Sequence, residues 1–242
     1  MRTTIGIGVV LAAVAGCGTA ATTPAALSDS FAGPDGLIAA EHQPATDGSP
    51  WTVTSGSLFR SGGAGWTGVP DAGGAPGSTG SAVFRMVSTD RSFGDVDMTL
   101  TLEVVRLVST PRTPARDYDG AHLWVRYRSP EELYAVSVDR RDGRMIIKKK
   151  CPGGPSNGGT YHDLSPYVPG APIPFGRRQQ VMVAVRDLPD GSVAVNATRD
   201  GIAVSAVDTG VGCPPLTGGG GVGLRGDNSE LRFTDLIVEP LR

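Results

Sequence analysis

The chain of 242 residues is long enough for one large domain or two small ones, and its formal net charge is −2 at pH 7. With 22 basic against 24 acidic residues, it has no net positive field that would recruit nucleic acid. Its 35 glycines and 19 prolines disfavour helices. Because only 6% of the residues are aromatic, a surface on which sugar rings stack must depend on very few side chains.

The first 16 residues have the layout of a secretory signal peptide. Arg2 supplies a positive start, and the apolar stretch over 5–15 is too short to cross the roughly 30 Å hydrocarbon core of a membrane as a helix. The stretch ends in Val-Ala-Gly-Cys, which resembles the bacterial lipobox, where cleavage precedes a cysteine that carries a diacylglycerol. We therefore expect a lipid on Cys17 and an exported, extracytoplasmic protein anchored in the cell membrane. The alternative is an ordinary signal peptide with a chance cysteine.

The segment that follows the expected cleavage point has a linker composition. Residues 17–27 are rich in Ala and Thr, contain Pro24 and have almost no large side chains, which predicts a flexible tether. A single domain is expected over 28–242, and no other apolar run is long enough for a membrane span.

Alternation of apolar and polar residues with period two dominates the rest of the chain and predicts strands. The clearest case is 95–103, where Val96, Met98, Leu100 and Leu102 share one face. Asp-Gly dipeptides and other turn signals separate the strands, as hairpins require. About a dozen short strands and no convincing helix predict an all-β antiparallel sandwich of two sheets. The predicted strands are 81–88, 95–103, 122–128, 133–141, 144–150, 179–188, 192–199, 202–207, 221–225 and 231–239.

Two cysteines are left to pair if Cys17 is lipidated. Cys151 and Cys213 lie beside the Pro/Gly-rich stretches CPGGP and GCPPL, which look like loops. Outside the cytoplasm a disulfide between them is expected, and closing a loop of about 60 residues is worth roughly 4 kcal/mol in the chain-entropy model. Two buried free thiols are the alternative. The segment CPGGPSNGGTYHDLS is expected to form a tight loop anchored by Cys151, either as part of a binding site or as a structural crossover.

Three stretches resemble the concanavalin A-like, or laminin G-like, jelly-roll superfamily, in particular its bacterial secreted members. They are DSFAGPDGLIAAE with SPWTVTSGSLFRSGGAGWTG, HLWVRYRSPEELYAVSVDRRDGRMIIKKK, and GGVGLRGDNSELRFTDLIVEPL. The resemblance covers nearly all of 28–241 and implies a jelly-roll β-sandwich with a sugar groove on the outward face of one sheet. The superfamily contains lectins, glycan-binding modules, hydrolases and lyases, so the fold does not choose an activity.

The resemblance, combined with strand alternation, predicts which side chains line the groove. If Leu123, Val125 and Tyr127 face the core, their neighbours face outward, and the same logic applies on the following strands. The predicted ligand-binding residues are His122, Trp124, Arg126, Asp139 and Lys148, with Lys150 on the same face as Lys148. The groove is thus expected to be polar and basic and to suit an envelope polysaccharide.

Enzymatic alternatives make sharper demands on the sequence. The Glu-x-Asp-x-x-Glu strand of laminarinase-type jelly rolls is absent, so the carboxylate pair of a retaining glycosidase is missing. A polysaccharide lyase acting on uronate-containing glycans would use His122, Arg126 and a tyrosine, Tyr134 or Tyr161, although the signature strands of alginate-type lyases are not matched. A non-catalytic glycan-binding domain is therefore preferred, with a lyase or a protein–protein interaction module of the envelope as alternatives.

Calcium is common at the edge of such sandwiches and takes carboxylate and carbonyl oxygens. Asp29 and Asp235 are candidate ligands, because the first and last strands of these folds often lie side by side. Asp227 and Asn228 are a second possibility. The three histidines are too scattered for a zinc site of the usual spacing.

Overall fold

A computed structural model describes residues 27–43, 45–71 and 80–241, and within them every regular element is a β-strand. This described part has no helix that could span a membrane. The predicted signal peptide, the lipidated Cys17 and nearly all of the predicted tether lie outside it. The strands are β1 (Leu27–Asp29), β2 (Gly36–Ala40), β3 (Trp51–Ser55), β4 (Ser57–Ser61), β5 (Ala64–Trp66), β6 (Val83–Ser88), β7 (Val96–Leu107), β8 (Gly120–Ser129), β9 (Glu132–Arg140), β10 (Ile146–Ser156), β11 (Gly159–Asp163), β12 (Gln179–Asp187), β13 (Val193–Arg199), β14 (Ile202–Asp208), β15 (Gly221–Asp227) and β16 (Ser229–Pro240).

The strands form two antiparallel sheets, which confirms the predicted sandwich. One sheet has nine strands in the order β14-β13-β12-β7-β16-β5-β4-β2, with β1 also paired to β16. The other has seven, in the order β11-β10-β9-β8-β15-β6-β3. The first and last strands are neighbours, as expected. Leu27 lies at the end of the predicted tether, but it is buried in β1 opposite Val238.

The core lies between the sheets and is built from the alternating apolar residues of both. Val96, Met98, Leu100 and Leu102 of β7 are all buried there, as the period-two pattern predicts. They meet residues of the seven-stranded sheet such as Leu123. Each such side chain contributes about 1.5–3 kcal/mol when fully removed from water. Further predicted core residues that are confirmed are Val125, Val136, Val138, Val181, Val183 and Val185.

A bulge in β8 interrupts the alternation and overturns two predicted orientations. The register with β9 shifts between Val125 and Ser129, and Arg126 adopts a left-handed backbone with φ of 52°. Because a bulge adds one residue to one strand, Arg126 turns inward, where its Nη2 donates to Asp95 at 2.7 Å. Strand alternation predicts Tyr127 in the core, but it lies on the outer face beside Trp124.

A second bulge, at Asp139 of β9, has the same effect. Ala121 pairs with Asp139 while the next residue, His122, pairs with Ser137. Asp139 is fully buried and accepts hydrogen bonds from Arg199 and from Gln179 of the nine-stranded sheet. The predicted place of Asp139 in the groove is therefore wrong, since its carboxylate connects the two sheets.

Cys151 and Cys213 form the predicted disulfide, with their Cα atoms 5.9 Å apart. It joins β10 to the loop between β14 and β15. The same loop is held by Lys149, whose Nζ donates to the carbonyl of Cys213 at 2.5 Å and lies 2.8 Å from the Asp208 carboxylate. The disulfide and the buried ion pair therefore both hold the loop between β14 and β15.

Candidate functional site

A cavity of about 480 Å³ lies on the outer face of the seven-stranded sheet, the sheet that carries the predicted groove residues His122, Trp124 and Lys148. Its floor comes from neighbouring strands in register, since Trp124 of β8 and Lys148 of β10 both pair with Ala135 of β9. We call it the groove. It is lined by Asp117, Tyr118, His122, Trp124, Ala135, Ser137, Arg140, Lys148, Lys150, Pro155, Ser156, Asn157, Tyr161, Tyr167, Arg225 and Asp227.

His122 lies in the groove floor between Ser137 and Asp227. Its Nδ1 lies 2.8 Å from the Ser137 hydroxyl, and its Nε2 lies 3.1 Å from an Asp227 carboxylate oxygen. Arg225 holds the same carboxylate at 2.7 Å. Burial alone would raise the pKa of Asp227, but Arg225 and His122 hold it well below its usual range. The imidazole thus has a hydrogen bond at Nδ1 and a carboxylate close to its buried Nε2.

Trp124 lines the groove but is covered by its neighbours, with only 3% of its surface exposed. Its ring stacks on Tyr127, with centroids 5.5 Å apart, in a small apolar cluster with Val87 and Leu133. Tyr161 packs against this cluster, and the Tyr161 hydroxyl accepts a hydrogen bond from Arg225 at 3.0 Å. Trp124 therefore supports the groove and offers little open ring face.

Two tyrosines supply the accessible rings that Trp124 does not. Tyr118 is 47% exposed and Tyr167 is 37% exposed, and both line the groove. They lie in the loops before β8 and after β11, so strand alternation did not select them. The available signal was a tyrosine in a loop next to a strand of the seven-stranded sheet.

The groove is basic, as predicted. Lys148 lies 2.9 Å from Asp163 and 3.3 Å from the hydroxyl of Tyr167. Arg140 is paired with Asp142 and lies 5.3 Å from the Tyr167 ring centroid. Sequence analysis identified Lys148 but missed Arg140 and Arg225, which the folded sheet adds to the same face.

The Pro/Gly-rich segment CPGGPSNGGTYHDLS forms a hairpin and not the expected loop. β10 and β11 continue through it, with a register irregularity between Pro152 and Ser156, and Asn157 takes a left-handed φ of 46° at the turn. Three tip residues border the groove: Pro155, Ser156 and Asn157. The hairpin therefore adds one wall to the site.

Three of the predicted site residues lie away from the groove. Arg126 and Asp139 turn inward at the two bulges, and Tyr134 is buried in the core. The Tyr134 hydroxyl donates to Asp208 at 2.6 Å and accepts from the amide of Leu216 at 2.9 Å. Burial and the hydrogen bond to Asp208 raise the pKa of Tyr134 well above its usual value, against a smaller opposing effect of the Leu216 amide. Of the lyase set His122, Arg126 and Tyr134, only His122 reaches the groove.

The candidate calcium ligands have partners within the protein. Asp29 accepts from the amide of Phe31 at 2.7 Å and from Trp51 Nε1 at 2.8 Å. Asp235 is exposed on β16, next to the strand that carries Asp29. The described residues contain no group of three or more His, Cys, Asp or Glu that could hold a metal ion.

The second candidate pair for calcium also has partners within the protein. Asp227 is engaged by Arg225 and His122. Asn228 donates its amide nitrogen to Asp119 at 3.2 Å. Calcium binding stays a prediction.

Several solved structures have an architecture similar to that of this chain. A protein of unknown function with a galectin-like fold from Bacillus subtilis is 11% identical, with a TM-score of 0.54 over 90% of this chain and 97% of that one. The carbohydrate recognition domain of Emp46p is 6% identical, with a TM-score of 0.53 over 80% and 90%. A putative beta-glucanase from Mycobacterium abscessus is 12% identical, with a TM-score of 0.51 over 88% and 99%.

These similarities establish the fold. The chain has the concanavalin A-like jelly-roll fold that the sequence resemblance predicted. No protein-family model matches the chain, and no curated protein matches it either.

Proposed function

We propose that this domain binds a polysaccharide in the groove without cleaving it. The observation that carries the proposal is the composition of the groove: two exposed tyrosine rings beside a set of cations, on the outer face of a lectin-like sandwich. Carbohydrate-recognition folds among the structural neighbours support it.

The groove offers both kinds of contact that a sugar requires. The faces of Tyr118 and Tyr167 are suited to the apolar face of a sugar ring, since aromatic rings combine a large contact area with little loss of conformational entropy. Lys148 and the amide of Asn157 lie in the same cavity and suit hydroxyl and acidic groups. Recognition of this kind requires no reacting group.

The geometry favours binding over lyase chemistry. A lyase base must reach the substrate's proton, and both ring nitrogens of His122 face protein partners. Tyr134 is buried beside Asp208. Tyr161 is the only tyrosine of the two suggested that lies in the groove, and its hydroxyl is bound to Arg225.

A glycan panel tests the proposal. The mature chain 17–242, with Cys17→Ser to keep it in solution, is passed over immobilised neutral and acidic polysaccharides while ultraviolet absorbance of an unsaturated product is followed. We expect retention without rising absorbance. Absorbance that rises in the wild type and stops in His122→Ala would replace binding with lyase action. Retention of no glycan would favour a protein partner.

We further propose that the protein is exported and anchored in the cell membrane by a lipid on Cys17. The apolar stretch that ends in Val-Ala-Gly-Cys supports this. Mass spectrometry of the membrane fraction should find a mature N-terminus at a diacylglyceryl-modified Cys17. An intact N-terminus with a free Cys17 thiol would contradict it.

A further inference from the structure

We infer that the groove contains a subsite for one acidic group of the ligand, a carboxylate or a sulfate ester, formed by Lys150 and Arg225 with Arg85 beside them. This inference rests on the proposed function, because it names the class of glycan that the groove takes. We call these three residues the cation cluster.

Lys150 is the central observation. It lines the groove, yet only 2% of its surface is exposed. Its Nζ donates to the carbonyl of Pro130 at 2.6 Å and lies 5.3 Å from the ring centroid of Tyr161. In the part of the chain that the structure describes, no carboxylate lies within ion-pair distance of it. A buried cation without a counterion is costly, and native proteins rarely retain one without a purpose.

The two arginines of the cation cluster add to the excess of positive charge. Arg85 of β6 and Arg225 of β15 lie directly opposite each other in the sheet, and like charges in that position are destabilising. Arg225 is ion-paired with Asp227, whose carboxylate also faces His122. Arg85 has no ion pair among the residues described. Of the three cations, Arg225 alone has a carboxylate within ion-pair distance among the residues that the structure describes.

Electrostatics agrees with this geometry. Burial is the main effect that lowers the pKa of Lys150 to about 8, and Arg225 and Arg85 add to it against a smaller opposing effect of Glu131. An acidic group of a ligand would supply the missing negative charge. The protein's own hydroxyl at the site, that of Tyr161, accepts from Arg225 and supplies no formal charge.

The test uses pairs of polymers that share a sugar backbone and differ in whether they carry an acidic group. Polygalacturonate is compared with its methyl ester, and dextran sulfate with dextran, for binding to the mature chain carrying Cys17→Ser. Lys150→Met is the test variant. Arg186→Met, exposed on the outer face of β12, removes the same charge from the opposite sheet and is the control. We expect Lys150→Met to lose about tenfold or more in affinity for an acidic polymer, and Arg186→Met to lose little.

A pH titration of the wild type does not depend on folding of the variant. The groups that face Lys150 are Arg85 on β6, Arg225 on β15, Tyr161 on β11 and Glu131 in the turn before β9. Affinity for the acidic polymer should fall as pH rises through about 8, where Lys150 loses its charge, while the neutral partner polymer shows no such step.

The outcomes separate the inference from the proposed function. Equal retention of acidic and neutral polymers, unchanged in Lys150→Met, would overturn the subsite and leave glycan binding intact. If the wild type retains no polymer, the proposed function fails, and inorganic sulfate decides the subsite. Sulfate stabilises folded proteins generally, so its excess over chloride in melting temperature at equal ionic strength should be larger in the wild type than in Lys150→Met, and an equal excess in both would overturn the subsite.

Discussion

Two neighbouring lysines of β10, both almost fully buried, have opposite surroundings. Lys149 points between the sheets, where its Nζ lies 2.8 Å from Asp208 and donates to the carbonyl of Cys213. Lys150 points the other way, into the groove, and has the carbonyl of Pro130 as its close hydrogen-bond acceptor. Successive side chains of a strand alternate between its two faces. Lys149 therefore joins an ion pair in the interior, whereas the next residue, Lys150, is a cation on the groove face without a counterion in the described part of the chain.

The difference distinguishes a structural charge from one available to a ligand. Burial by itself would raise the pKa of Asp208, but hydrogen bonds from Lys149, Tyr134 and the Gly210 amide hold it below its ordinary value. The protein thus completes the environment of Lys149. It leaves that of Lys150 incomplete on the side that faces the groove.

The largest effect is expected from Lys149→Met. This change leaves the Asp208 carboxylate buried without its cation, which costs about 3–5 kcal/mol in the free energy of unfolding. Urea denaturation followed by circular dichroism measures it. Lys149→Met combined with Asp208→Asn should cost less than the sum of the two single changes. Additive single changes would mean that the two charges do not act as a pair.

Removing the disulfide is expected to have the next largest effect. Cys151 and Cys213 are 62 residues apart in sequence, and replacing both by Ala should lower the free energy of unfolding by about 2–4 kcal/mol. Lys149 still holds the carbonyl of residue 213, so affinity for the glycan should change little. A loss of binding as large as that of Lys150→Met would show that the crosslink shapes the groove.

Lys150→Met should act in the opposite direction on stability. Replacing an unpaired buried cation by an apolar side chain of similar size should raise the free energy of unfolding by about 1 kcal/mol at neutral pH. Below the folded pKa of about 8 this difference is constant, because Lys150 is protonated in both the folded and unfolded states.

The pH dependence gives a second readout of the same residue. Between the folded pKa of Lys150, about 8, and its unfolded pKa near 10.4, the unfolded chain binds more protons than the folded chain. The stability of the wild type therefore rises with pH relative to that of the variant over this range. Thermal melts from neutral to alkaline pH measure both effects. A variant less stable than the wild type at every pH would contradict the prediction.

Strand periodicity predicted the fold well because alternation is a local property of each strand. It correctly placed Val96, Met98, Leu100 and Leu102 in the core, and it put Lys148 and Lys150 on one face of their strand, which lines the groove. It failed at Arg126 and Asp139, because a bulge inserts one residue and reverses every later orientation without a clear mark in the sequence.

The accessible rings of the groove could not be predicted by the same means. Tyr118 and Tyr167 lie in loops, where no periodicity assigns a direction, and they come to line the same groove only once the sheet has formed. Arg85 and Arg225 became neighbours through a pairing of strands that are far apart in sequence. The site is thus a property of the topology as much as of any motif.

The smallest effects distinguish exposed from covered rings in the groove. Tyr118→Ala and Tyr167→Ala should each weaken glycan binding about fivefold, near 1 kcal/mol, with little change in stability, because these rings are exposed. Trp124→Phe is the matched control: it keeps an aromatic ring in the covered cluster and should leave affinity nearly unchanged. Isothermal titration calorimetry against the retained glycan measures all three. If Trp124→Phe loses affinity and the tyrosine variants do not, the ligand lies on the sheet floor, and the tyrosines have no part in holding it.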